Sequence, residues 1–275
     1  DIVLSDGSRF ANQGTLNAAA SGYEIGGAGG FANAGTLNVD LAGSGDTMGI
    51  ASGTFDHSGL VDVQGGVLEL SAAGGAYSGD FDAAGGLLRF VEGVYDLTST
   101  VSVTGDVVEF GGATVAFESG AVYEVVGATR VSGGAVGFAP GSVIGGLGDE
   151  LEISGGGLDL SGGSALSVAG FTQSGGLLGG TDVLTVTGAG LWQGGTQGGG
   201  GVTRYAGGLT LSTGADKVVS GTRQVVVEAG DWLAGDIVLD DAGRLENRGT
   251  LTALAAGYGI VGTGVLANKI GRAHV

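Results

Sequence analysis

One motif recurs at a fixed offset. Residues 10–17 read Phe-Ala-Asn-Gln-Gly-Thr-Leu-Asn, and residues 31–38 read Phe-Ala-Asn-Ala-Gly-Thr-Leu-Asn, an offset of 21. Near the other end, residues 245–252 read Leu-Glu-Asn-Arg-Gly-Thr-Leu-Thr, and Leu266-Ala-Asn-Lys269 begins the motif again at the same offset. A longer period contains the short one: residues 1–34 and 236–269, offset by 235, agree at 19 of 34 positions. A short fixed period means that each repeat buries its apolar face only against its neighbours. The reading is therefore one segment, 1–269, holding a 235-residue tandem unit (1–235) and the start of the next (236–269). On this reading the chain is a slice of a much longer protein. Residues 270–275, Ile-Gly-Arg-Ala-His-Val, resemble a translated sequencing adapter and are set aside from fold reasoning.

Between the ends, apolar–x–apolar triplets recur, among them Val61-Asp-Val63, Leu68-Glu-Leu70, Val108-Glu-Phe110, Leu158-Asp-Leu160 and Leu209-Thr-Leu211. Period-two alternation puts the flanking side chains on one face and the middle one on the other. Triplet starts are evenly spaced in places, as at Val101, Val108 and Val115. A coiled coil is excluded because glycine pairs fill the intervals, and each glycine costs a helix interior about 1 kcal/mol relative to alanine. Three such spacings make one rung of 21. The predicted fold is all-β: a parallel β-helix, or solenoid, with three short strands per rung. Some 13 rungs at about 4.8 Å would span roughly 60 Å. Asn12 and Asn33 differ by one rung, as do Asn17 and Asn38, which predicts asparagine ladders along the stack. Phe10 is expected over Phe31, Leu16 over Leu37, and Leu245 over Leu266. Glu69, Glu109 and Asp159 are expected to be exposed.

Composition agrees. Leu, Ile, Val and Phe total 75 of 275 residues, enough for a core, so the 64 glycines do not signal disorder. A single proline and no Gly-X-Y period exclude collagen, and no cysteine excludes disulfides and thiolate zinc sites. No apolar run is long enough for a transmembrane helix. A net charge of −18 disfavours nucleic acid as a partner.

The chemistry-bearing residues are sparse. His57 has no second histidine beside it outside residues 270–275, and is expected at the surface of a turn. Gly145–Leu151 has the glycine–acid flavour of calcium-binding rolls, but Glu150 stands where aspartate belongs and no tandem copy follows. Asp240-Asp241 is replaced by Ser5-Asp6 in the other copy. The glycine runs 26–30 and 198–201 lack the lysine and helix of a phosphate loop. Asp62, Glu69, Glu109, Glu152 and Asp159 sit at outward triplet positions, where paired carboxylates on neighbouring rungs would be within acid/base range. Trp192 and Trp232 do not recur at 21, so burial or a cap over a turn is expected rather than a sugar-stacking ladder. No catalytic, cofactor-binding or metal residue is assigned, and no cofactor.

The strings Phe31-Ala-Asn-Ala-Gly-Thr-Leu37, Gly65-Gly-Val-Leu-Glu-Leu70 and Leu191-Trp-Gln-Gly-Gly-Thr196 resemble the strand repeats of very large bacterial surface and secreted proteins. These are filamentous haemagglutinin-like adhesins and autotransporter passenger domains. The resemblance implies a right-handed parallel β-helix, export to the cell surface or medium with outer-membrane association of the parent, and adhesion. It transfers no catalytic residue. The expected function is a structural or adhesive segment without catalysis, whose partners are neighbouring rungs of the parent chain and host or environmental glycans or proteins. The alternatives are a polysaccharide-degrading β-helix enzyme and a passive spacer stalk.

Overall fold

The computed structural model describes residues 1–254 and 256–269. Residues 270–275, set aside above, lie outside them. The described chain is all-β, with parallel strands stacked as a solenoid of about 13 turns at about 21 residues per turn. It divides into two compact units, residues 1–148 and residues from 149 on.

In the first unit three strand columns make each turn. One column carries Asn12, Asn33, His57, Tyr77, Leu97, Phe117 and Phe138 in register. The next carries Leu16, Leu37, Val61, Phe81, Val103, Tyr123 and Ile144. The third carries Ile2, Ile25, Ile50, Leu70, Phe90, Phe110 and Val131. These residues stack because a parallel ladder places like positions of successive rungs about 4.8 Å apart, so apolar columns exclude water along their length. Phe31, Phe55, Phe90 and Phe110 are fully buried, and Phe31 lies flat on Phe55 with ring centres 5.3 Å apart.

The second unit repeats the plan. Val168, Val186, Tyr205, Val227, Asn247 and Asn268 share one column. Ile153, Gln173, Trp192, Leu211, Trp232 and Ala253 share another. Leu158, Leu178, Gln197, Val219, Leu239 and Gly262 form the third.

The predicted pairs Phe10–Phe31, Asn12–Asn33, Leu16–Leu37 and Leu245–Leu266 are direct register partners on parallel strands. Flanking triplet residues such as Leu68, Leu70, Val108, Phe110, Leu158 and Leu160 are at most 1% exposed. Two features depart from the expectation. Rung length varies: the rung from Asn33 to His57 is longer than 21, and the rung from Leu166 to Leu184 is shorter. Several strands also run on around a corner, as in Tyr23–Asn33, Thr47–His57 and Asp80–Phe90. Register shifts at Gly27/Gly30 and Gly105/Val107 absorb those bends.

Glycine keeps one turn narrow. A side chain at Gly35 would overlap the Gly14 carbonyl oxygen, and the same holds at Gly59 over Gly35 and Gly79 over Gly59. These glycines lie two positions after Asn33, His57 and Tyr77 of the first column, so successive turns can stack main chain on main chain.

Candidate functional site

The polar column is built inside the solenoid. Asn12 Nδ2 donates to Asn33 Oδ1 at 2.7 Å and to the Thr36 carbonyl at 2.9 Å. Asn33 Nδ2 repeats this one rung on, to His57 Nδ1 at 3.3 Å and the Leu60 carbonyl at 2.9 Å. His57 Nε2 continues to the Asp80 carbonyl at 2.9 Å. His57 is thus not the surface turn residue the sequence suggested: it is 1% exposed, stacked on Phe55 and tilted against Phe81. With an amide N–H aimed at Nδ1, the proton belongs on Nε2, facing the Asp80 carbonyl. Burial pushes the His57 pKa below its ordinary 6.5, outweighing the Asp80 carbonyl, the Asn33 contact and the Asp80 charge. Stability linked to His57 is therefore complete above pH 6.5. It falls as pH drops from there towards the folded-state pKa, because the unfolded chain takes up the proton first. Acid titration of the unfolding midpoint should show this loss, and His57→Asn, which extends the asparagine ladder, should flatten that window.

Outward positions carry a charge column in the first unit. Glu69, Arg89, Glu109 and Arg130 are successive register partners. Arg89 bridges its neighbours, at 2.7 Å to Glu69 and 3.0 Å to Glu109. The two glutamates are consequently half-buried rather than exposed, with side chains 34% and 17% accessible. Arg89→Met should lower stability by about 1 kcal/mol at low ionic strength, with most of the difference lost near about 1 M salt. Denaturation at both salt levels checks it.

The remaining acids do not converge on Arg89. Asp62 stacks directly on Asp82 in a column that goes on to Thr104 and Glu124. Gln64 donates to Asp62 at 2.6 Å and the Ala84 N–H to Asp82 at 3.1 Å. Beside this column an open trough of about 530 Å³ has a floor of Gly65, Gly85 and Gly86 and is flanked by Asp40 and Asp106. Asp159 is exposed and accepts from Ser161 Oγ at 2.5 Å, and Glu152 is exposed on another strand. Asp149 and Glu150 of the calcium-roll segment are exposed. Asp241 takes a left-handed backbone and accepts the Gly221 N–H, which makes it a turn residue. Among the described residues no three His, Asp or Glu side chains are grouped to hold an ion.

The second unit buries cations that sequence reasoning did not single out. Lys217 is fully buried, and its ammonium donates to the carbonyls of Thr213, Ala215 and Ala234 at 2.8, 2.6 and 3.0 Å. Arg223, also fully buried, donates to Thr203 Oγ1 and to the carbonyls of Gly179 and Gly198. Burial draws the Arg223 pKa down to about 10, with Tyr205, Asp159 and Asp182 acting in the other direction, so it stays charged at neutral pH. Glu246 is ringed by Arg248 at 2.6 Å, Lys269 at 3.0 Å and Arg244 at 3.2 Å. Hydrogen bonds from Arg248 first and Lys269 second hold its pKa down at about 2. Trp192 and Trp232 are buried, and each indole N–H caps a turn carbonyl, Gly194 and Gly235 respectively.

No family model, no curated protein and no solved structure matches this chain. The class defined by the geometry is a parallel β-solenoid whose buried polar groups serve the stack.

Proposed function

We propose that this chain is a structural, adhesive segment of a long, repetitive bacterial surface or secreted protein, with no catalysis of its own. The observation that carries the reading is the joint between tandem units. Residue 235 passes to 236 inside the ladder, with Val225 under Leu245 and Leu245 under Leu266, so the repeat adds rungs rather than a linker. Repetition of rungs suits a projecting, extracellular role, in which main-chain ladders supply length and surface acids supply solubility. Its partners would be glycans or proteins of a host or its surroundings, met along the acidic outer face.

The test pairs adhesion with turnover. Beads coated with the chain should retain cells or immobilised glycans saturably, and polysaccharides incubated with it should yield no new chain ends. Absence of retention would leave a passive spacer. The enzymatic rival rests on the Asp62–Asp82 stack beside the trough. New reducing or unsaturated ends that vanish in Asp82→Asn would put that rival in place of the proposal.

A further inference from the structure

One corner of the second unit is built around a positive charge. Three successive rungs cross it, from Trp192 to Gly195, from Leu211 to Lys217 and from Trp232 to Ile237. The middle crossing, residues 212–216, is the longest of the three. Lys217 opens its strand at an inward position, which Gly195 holds one rung before and Ile237, 1% exposed, one rung after. A lysine at that position faces an apolar column. Its side chain turns back into the crossing instead, and there all three N–H donors of the ammonium are taken up.

The acceptors are main-chain carbonyls: Thr213 and Ala215 in the same crossing, at 2.8 and 2.6 Å, and Ala234 in the next, at 3.0 Å. The chain bends to make this cage. Thr213 takes a left-handed backbone, φ 65°, which a β-branched residue adopts only under constraint. Its hydroxyl donates to the Gln193 carbonyl and holds it there. Gly235, at φ 80°, forms the facing wall, where a side chain would run into Lys217 Nζ and the carbonyl oxygens of Ala215 and Thr213. The Trp232 indole N–H fixes that wall by donating to the Gly235 carbonyl at 2.7 Å. Three carbonyl dipoles aimed at one buried point are costly unless a donor sits there.

We propose that this corner is a recognition site for a primary alkylammonium ion, which Lys217 fills from within the chain. The ligand class follows from the acceptors. Three carbonyls around one nitrogen select a head with three N–H donors, and the buried lysine stem selects an unbranched alkyl tail. A quaternary ammonium carries the same charge and offers no donor. Truncating Lys217 at Cβ vacates Cγ, Cδ, Cε and Nζ, which are the heavy atoms of propylammonium. The truncated chain is therefore a receptor for that ion, with the crossing ordered around it. The site does not depend on adhesion: a chain that retains no cell or glycan still has the cage.

Chemical denaturation of the unaltered chain, Lys217→Ala and Lys217→Met tests this, in chloride salts matched for ionic strength. Both variants should unfold at lower denaturant than the unaltered chain. Propylammonium should then stabilise Lys217→Ala saturably. At about one hundred times its dissociation constant, the folded-to-unfolded ratio should rise about 100-fold. Sodium and tetramethylammonium should not reproduce that rise. Lys217→Met, whose side chain occupies the stem path, should not respond to propylammonium, and neither should the unaltered chain. A Lys217→Ala chain that propylammonium fails to stabilise, or that folds in none of the salts, overturns the proposal. Equal rescue by tetramethylammonium or sodium overturns it as well, since that is charge screening and not recognition. An equal response from Lys217→Met or the unaltered chain does the same, because it places the effect outside the cage.

Discussion

Replacing Phe117 by alanine is expected to destabilise the first unit by about 3–5 kcal/mol, the usual cost of emptying a large aromatic site in a close-packed core. Phe117 is fully buried, lies flat on Phe138 with ring centres 4.5 Å apart, and meets Tyr123 edge-on at 5.2 Å. Its neighbours are held by ladders on both sides, so they cannot close over the void. Stability in a stacked array is local. Hydrogen exchange should therefore accelerate first in the strands Val94–Leu97 and Ala135–Phe138, on either side of the site. Uniform acceleration across residues 1–148 would show that the unit unfolds as one block instead.

Arg223→Met should cost about 2–4 kcal/mol, although methionine is apolar and enters an apolar interior. The loss comes from what the guanidinium leaves behind. The Gly179 and Gly198 carbonyls and the Thr203 hydroxyl lose charged donors in a place water does not reach, at about 1–3 kcal/mol for each group left unpaired. Relief of the desolvation of the buried charge offsets part of that. Arg223→Lys should recover little, because one ammonium cannot span Thr203 and both carbonyls as the planar fork does. Chemical denaturation of the three proteins measures the differences.

Much of the fold was legible because identical side chains fall on identical rungs. The pair Phe10-Ala-Asn12 and Phe31-Ala-Asn33 declares its own register, and the ladder obeys it. Legibility stops where a rung changes length. Phe55-Asp-His57 is the third member of that column, but the step to it is longer than the step before, so a search at 21 passes it by. The signal was present in the aromatic two places before and in Gly59 two places after, the spacing that Asn12 and Asn33 also show. A histidine placed that way is a rung of the ladder and not a surface residue. The half-burial of Glu69 and Glu109 was hidden for a related reason. Alternation gives the face of a side chain, but the partner on that face, Arg89, is fixed only by the length of the rungs between them. Lys217 and Arg223 left no pattern at all. Their acceptors are mostly main-chain carbonyls, which every residue carries, so no side-chain spacing points to them.

The charge column bears on how such a chain changes length over generations. Glu69, Arg89, Glu109 and Arg130 alternate in sign from rung to rung. Deleting the single rung that carries Arg89 would close the ladder with Glu69 directly on Glu109, like charges about 4.8 Å apart. Deleting two rungs would restore Glu69 against Arg130. Duplications obey the same parity: a single copied rung sets like on like, and a copied pair does not. Only an even number of added or removed turns keeps this column alternating in sign, so for this one column a pair of turns is the electrostatic repeat although a single turn is the repeat of the fold.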